Sequence, residues 1–157
     1  MIAHKDLNAI AGSTDAYTVS ATGSNTWITA IGLDSGKKFV ELGYLRDTAS
    51  FTAEGTVDPT RGVAFSTNTL VFKLGDLSLE NQTFLESVLT QPVAAIIKLR
   101  NGKYYALGLP GLFQLSAFTA TSGAGAADEV SYSLTFNEID GILPRQVDPS
   151  IISTLIA

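Results

Sequence analysis

The chain has 157 residues, 45% of them hydrophobic and 16% charged, with a net charge of −5, 14 Gly, 5 Pro and no Cys. A domain of this size buries about 70% of the surface its unfolded chain exposes, which leaves no room for a second independent core. Ten Lys and Arg against 15 Asp and Glu, with no basic run, exclude binding of nucleic acid by phosphate neutralisation. The lack of Cys excludes disulfides, thiolate metal sites and cysteine nucleophiles. No run approaches the roughly 18 apolar residues of a membrane span, and the first residues lack the basic-then-apolar pattern of a secretory leader. The expectation is a soluble, unprocessed chain without a membrane partner. Its charged fraction is below the roughly 25% usual in soluble domains, while Ser and Thr number 31. Such a surface is either solvated by hydroxyls or covered by partners.

Residues 26–33 (TWITAIGL) are β-branched and aromatic and end in the turn-forming Asp34-Ser35-Gly36, which predicts a strand and a tight turn. Residues 37–42 (KKFVEL) are expected to return as a second short strand. Residues 47–54 alternate Thr48, Ser50 and Thr52 with Ala49, Phe51 and Ala53, the period-2 pattern of a half-buried strand. A polar, proline-bearing loop is expected over 55–62. Residues 62–74 form the longest strand candidate, one arm of a long hairpin with 47–54 that projects beyond the core.

The one helix is expected over 78–90. Leu77, Phe84, Leu85, Val88 and Leu89 share a face, Ser78 is placed to cap, Glu80 lies in the first turn, and Pro92 stops the helix. Residues 93–100 and 103–109 flank Asn101-Gly102, which predicts a type I′ hairpin. A further strand pair is expected over 111–120 and 129–136, joined by a glycine-rich loop over 121–127. In its second strand Val130, Tyr132, Leu134 and Phe136 face the core and Ser131, Ser133 and Thr135 face away. The terminal IISTLIA is read as a strand or arm that docks. The fold class is α+β, mainly β: an antiparallel β-sandwich or partly rolled barrel with one flanking helix.

Catalytic chemistry is not indicated. The single histidine, His4, lies in a segment expected to be peripheral, which disfavours a Ser-His-Asp arrangement. Asp128, Glu129, Glu138 and Asp140, with Asp148 beyond, lack a calcium-loop pattern and read as a solvated or subunit-facing acidic rim. The single tryptophan, Trp27, marks no sugar cleft. Gly108 to Gly111 and Gly123 to Gly125 open no lysine-bearing helix and read as turns. Tyr104, Tyr105, Phe113 and Phe118 alternate along strands and read as core. Arg46, Arg61, Arg100 and Arg145 are scattered and read as surface or interface ion-pair partners. No enzyme activity, cofactor or metal is expected.

Over about residues 40–147 the order of features resembles tail-tube-like structural proteins of tailed bacteriophages, within them the short tail proteins of phages and prophages of Bacteroidetes. The features are the DTASFTAEG strand, the TVDPTRGVAF loop and strand, the NQTFLESVL helix, VAAIIKLRNGKYYALGLPGL, and a glycine-rich loop before SYSLTFNEID. The resemblance implies a subunit whose inner sheet joins those of its neighbours into rings, expected to be hexameric, that stack into a tube conducting DNA. It implies partners that are copies of the same chain and other tail or neck proteins, with DNA as passing cargo, in a virion made in the host cytoplasm. Carried onto this chain, it implies arms over about 1–15 and 148–157 and a bridging hairpin loop over about 42–62. The implied inter-subunit residues are Leu42, Tyr44, Arg46, Val57, Asp58, Arg61, Ile151, Ile152 and Leu155. A neck or adaptor ring, a distal-tail hub, and a small monomeric glycan- or host-surface-binding module are the alternatives.

Overall fold

The computed structural model describes residues 1–11, 13–20, 26–125, 128–140 and 143–156, and no side chain at 63, 139 or 140. The chain is mainly β, as its composition of β-branched runs and turn residues predicts. Among the described residues ten strands run β1 (Ile2–Ala3), β2 (Tyr17–Val19), β3 (Ile28–Ile31), β4 (Ser50–Asp58), β5 (Val63–Gly75), β6 (Val93–Lys98), β7 (Tyr104–Leu107), β8 (Phe113–Thr121), β9 (Ser131–Asp140) and β10 (Arg145–Val147). Helix α1 (Leu79–Val88) follows β5, and α2 (Pro149–Leu155) follows β10. The strands form a curled six-stranded sheet, ordered β1-β6-β7-β10-β3-β2, and a four-stranded sheet, ordered β4-β5-β9-β8. Among the described residues the strand pairings are antiparallel except β10 with β3, and the isolated bridge of Phe39 with Ile156 is parallel too.

Strands β6 and β7 are covered on both faces, which divides the core into two layers. One layer lies between the sheets, where Leu70, Phe72, Leu74, Phe113, Leu134 and Phe136 meet Val93, Ala95 and Leu107, closed by Leu85 and Val88 of α1. Phe136 stacks with Phe72 at 5.9 Å and Phe113 at 5.4 Å between ring centroids. The other layer joins Ala94 and Ala106 to Ile28, Ile31, Phe39 and Val147 and is closed by Ile152 and Leu155 of α2. Both use the same two strands, so they belong to one domain.

The expected hairpin of β4 and β5 is present in unbroken register from Ser50 opposite Val71 to Asp58 opposite Val63. Residues 55–58 belong to the strand, so the expected loop shrinks to 59–62, and much of the 42–62 segment implied as a bridging loop is strand β4. Asp58 builds the turn: its Oδ1 accepts from the amides of Thr60 and Arg61, and Gly62 takes a φ of 65°. Helix α1 starts as predicted, with the Ser78 hydroxyl accepting from the Asn81 amide. Leu89, expected on the buried face, lies past the helix end and is exposed.

The β6–β7 hairpin differs in its turn. The Leu99 carbonyl accepts from the Gly102 amide, and Gly102, not Asn101, has positive φ. This is a three-residue loop with a type I turn and a glycine bulge, not type I′. Asn101 contributes its side chain instead, accepting from the Lys103 amide at 3.0 Å. The expected strand at 37–42 is reduced to a single bridge, Phe39 with Ile156.

Both termini are part of the domain rather than free arms. Ile2 and Ala3 pair with Ala94 and Val93 at the edge of the six-stranded sheet. At the other end, α2 is a second helix where one was expected, with Asp148 at its N-cap and Pro149 in its first turn. The Ser150 amide donates to the Asp148 carboxylate and holds its pKa below the usual carboxylate range. A carboxyl whose pKa is depressed by folding contributes stability above its unfolded pKa and loses it as pH falls through the folded one. Acidification through that range is therefore expected to speed hydrogen exchange at the Ser150 amide, and the D148N variant should show no such pH step.

Candidate interaction surface

The four-stranded sheet has two unlike faces, set by the pairing register. Its inward face carries Phe51, Leu70, Phe72, Leu74, Leu134, Phe136 and Phe113, which enter the core. The opposite face carries Thr52, Thr56, Thr67, Thr69, Ser133, Thr135, Thr119 and Thr121, with the amides Asn137 and Gln114. Charge on that face is sparse: Glu54 and Asp58 on β4, and Lys73, which pairs with Glu129 at 3.2 Å. Hydroxyl-rich β-branched residues satisfy the pleat and hydrogen bond to water or to a neighbour without fixing a partner's charge.

The sheet's outer strands, β4 and β8, are each nine residues long and exposed on both faces over most of their length. Among the described residues neither pairs with a further strand on its outer side. Soluble proteins normally guard such edges with Lys, Pro or short length. β8 contains no charged residue and no Pro, and its one irregularity, at Ser116, lies in its pairing with β9.

Beside the β4 edge the two sheets part around a groove of about 320 Å³. Its walls include Leu42, Tyr44, Phe51, Phe72, Ile96 and Ile97, with Lys98 and Arg100 at the β6–β7 turn. The Met1 amine, which also borders it, donates to the Val40 carbonyl, and burial lowers that amine to about 6.

A buried polar cluster ties the sheets together at the far end. Glu138 of β9 is 2% exposed; its Oε2 accepts from Asn68 Nδ2 at 3.1 Å and its Oε1 from the Gly108 amide, just after β7, at 2.9 Å. Ser66 donates in turn to Asn68 Oδ1. An adjoining cavity of about 30 Å³, room for a single water, is also lined by Arg145.

The inter-subunit residues implied by the resemblance do not form one patch. Leu42 and Tyr44 line the groove. Arg46 is almost fully exposed beside Asp47. Val57, Asp58 and Arg61 lie at the β4–β5 tip, where Asp58 and Arg61 sit 3.7 Å apart. Ile152 and Leu155 are buried in their own domain's core and Ile151 is half-buried against it, so in this conformation these three side chains pack against their own chain.

Glu138 is no rim residue but lies in the interior; Asp128, Glu129 and Asp148 do lie outside, and the side chain of Asp140 is not among those described. Arg145 is half-buried, and its Nε is buried without a hydrogen-bond partner among the described residues. His4 is held in the fold, its Nε2 3.0 Å from the Leu109 carbonyl oxygen. Phe118, expected in the core, is 48% exposed because no layer covers that end of β8. The signal for Glu138 was its parity with Leu134 and Phe136; for the groove there was none.

Among the described residues no group of three or more His, Asp or Glu side chains is placed to hold a metal ion, and no helix is long and apolar enough to cross a membrane. Comparison with protein-family models, curated proteins and solved structures finds no match to this chain.

Proposed function

We propose that this chain is a non-enzymatic structural subunit of a phage tail tube, assembling through the edges of its four-stranded sheet into rings that stack around a DNA-conducting channel. The observation that carries this reading is the pair of long, open edges on one antiparallel sheet, of which β8 carries no charge at all and β4 only Glu54 and Asp58. Because that sheet has four strands, β4 and β8 run in opposite directions. Copies related by rotation therefore join β8 to the next β4 antiparallel, and the sheet continues without a break.

The stagger of the edges supports closure. β4 spans the rungs from Val63 to Val71 of β5, while β8, through β9, spans those from Asn68 to Gly75. The shift is about 4 to 5 residues, or about 15 Å along the strands against about 19 Å across four of them. Full overlap of β8 with the next β4 then requires strands tilted by about 40° to the ring axis, within the range of closed barrels. Six such copies give a backbone diameter of about 45 Å, wide enough for a duplex after side chains are added. The face turned away from the domain core would line that channel. Beside its hydroxyls and the exposed Phe65, the cation described on that face is Lys73, already paired with Glu129, so phosphates meet little to hold them.

Negative-stain microscopy of the purified protein at high concentration tests the proposal, with stacked rings or tubes as the expected result. Single rings that never stack would place the chain at a neck or distal-tail position. A protein that stays monomeric and binds glycans would overturn assembly altogether.

A further inference from the structure

Resting on the ring reading above, we infer that Phe118 of one copy anchors the subunit junction by inserting beside the β4 edge into the apolar groove of the next copy. The pairing register places Phe118 opposite Leu134, on the inward face of the sheet, yet its own domain leaves about half of its surface exposed. On β4 the inward positions are Phe51, Ala53, Gly55 and Val57. Matching the midpoints of the two nine-residue edges sets Thr119 opposite Thr52 and Phe118 opposite Ala53 of the neighbour, so inward faces inward across the junction. Ala53 leaves space above it, and Phe118 lies diagonal to Phe51, a separation that an aromatic side chain spans. Phe51 is a wall of the groove, next to Leu42, Tyr44 and Ile97.

Charge agrees with this direction. In the antiparallel junction the Thr121 end of β8 meets the Ser50 end of β4, which is the groove end. Beyond Thr121 the β8–β9 connection carries Asp128 and Glu129 at its close, and the groove's far wall carries Lys98 and Arg100, with Lys103 in the same turn. With Glu129 paired to Lys73 of its own chain, it is Asp128 that approaches the neighbour's basic side chains at this corner, where Glu41 also borders the groove. An exposed aromatic, a groove that its own chain does not fill and opposite charges at the matching ends together identify a second copy as the occupant. The contact is head-to-tail, since knob and groove lie on different edges.

Two surface substitutions test the inference. Phe118→Ser removes the knob, and Ala49→Trp fills the groove from an exposed position that lines it. Each variant should keep the wild-type unfolding midpoint by circular dichroism. Each alone should need at least about thirty-fold more protein for half-assembly in light scattering, the loss of one buried aromatic anchor. Leu79→Ser, an equally apolar loss on the exposed face of α1, should change nothing. Mixed together, the first two variants should form a 1:1 heterodimer, because one keeps its groove and the other its knob. Wild-type rings together with undiminished assembly of Phe118→Ser would overturn the Phe118 contact while leaving the ring reading intact. A monomeric wild type at high concentration would overturn both.

Discussion

Replacing Glu138 by alanine is expected to destabilise the domain by about 3 to 5 kcal/mol, read as a lower urea midpoint at unchanged slope. Glu138 is nearly inaccessible and links β9 of one sheet to the Gly108 turn of the other. Its removal strands the Asn68 amide and the Gly108 N–H in the interior, at about 1 to 3 kcal/mol for each donor left without a partner, and opens a cavity besides. Glu138→Gln should cost clearly less, since the amide oxygen still accepts one of the two bonds. Equal losses for the two variants would show that packing, and not hydrogen bonding, is what Glu138 supplies.

The second large effect concerns the C-terminus. The sequence alone suggests that removing residues 148–157 spares the fold and impairs only assembly. The packing predicts otherwise: Ile152 and Leu155 close one layer of the core, and the Phe39 amide donates to the Leu155 carbonyl. Burying these two side chains contributes roughly 3 to 6 kcal/mol. A chain ending at Val147 is therefore expected to lose a large part of the 5 to 15 kcal/mol typical of a domain and to bind hydrophobic dye at ambient temperature. An unchanged melting temperature would mean that α2 docks on the surface and is free to act as an arm.

What could be read in advance was whatever repeats within one element. Alternation marked β4 and β9, an unbroken run of about a dozen residues marked β5, the Ser78 cap marked α1, and Asn101-Gly102 marked the β6–β7 reversal. Strands of two or three residues, such as β1, β2 and β10, carry no period to detect, and their pairing is decided by distant chain. Helix α2 was obscured by its β-branched PSIISTL composition, though Asp148-Pro149 is a start signal that was present. Phe118 and Glu138 show the harder limit. Parity gives the face of a sheet a side chain occupies, but whether that face is covered depends on the reach of the opposing layer. For that reason the polar Glu138 is buried and the aromatic Phe118 is not.

The position of β10 has a consequence for synthesis. This three-residue strand lies in the middle of the six-stranded sheet, holding β7 on one side and β3 on the other, although it follows both of them and the whole four-stranded sheet in chain order. On the other side of the curl, residues 6–8 next to β1 tie to residues 32–34 after β3 through the Leu7–Leu33 bridge, so among the described residues β10 is the strand that closes the sheet between its two halves. The four-stranded sheet is complete at Asp140, before that closure. A chain still being translated thus presents the open β4 and β8 edges before Val147, Ile152 and Leu155 seal the second layer of its own core.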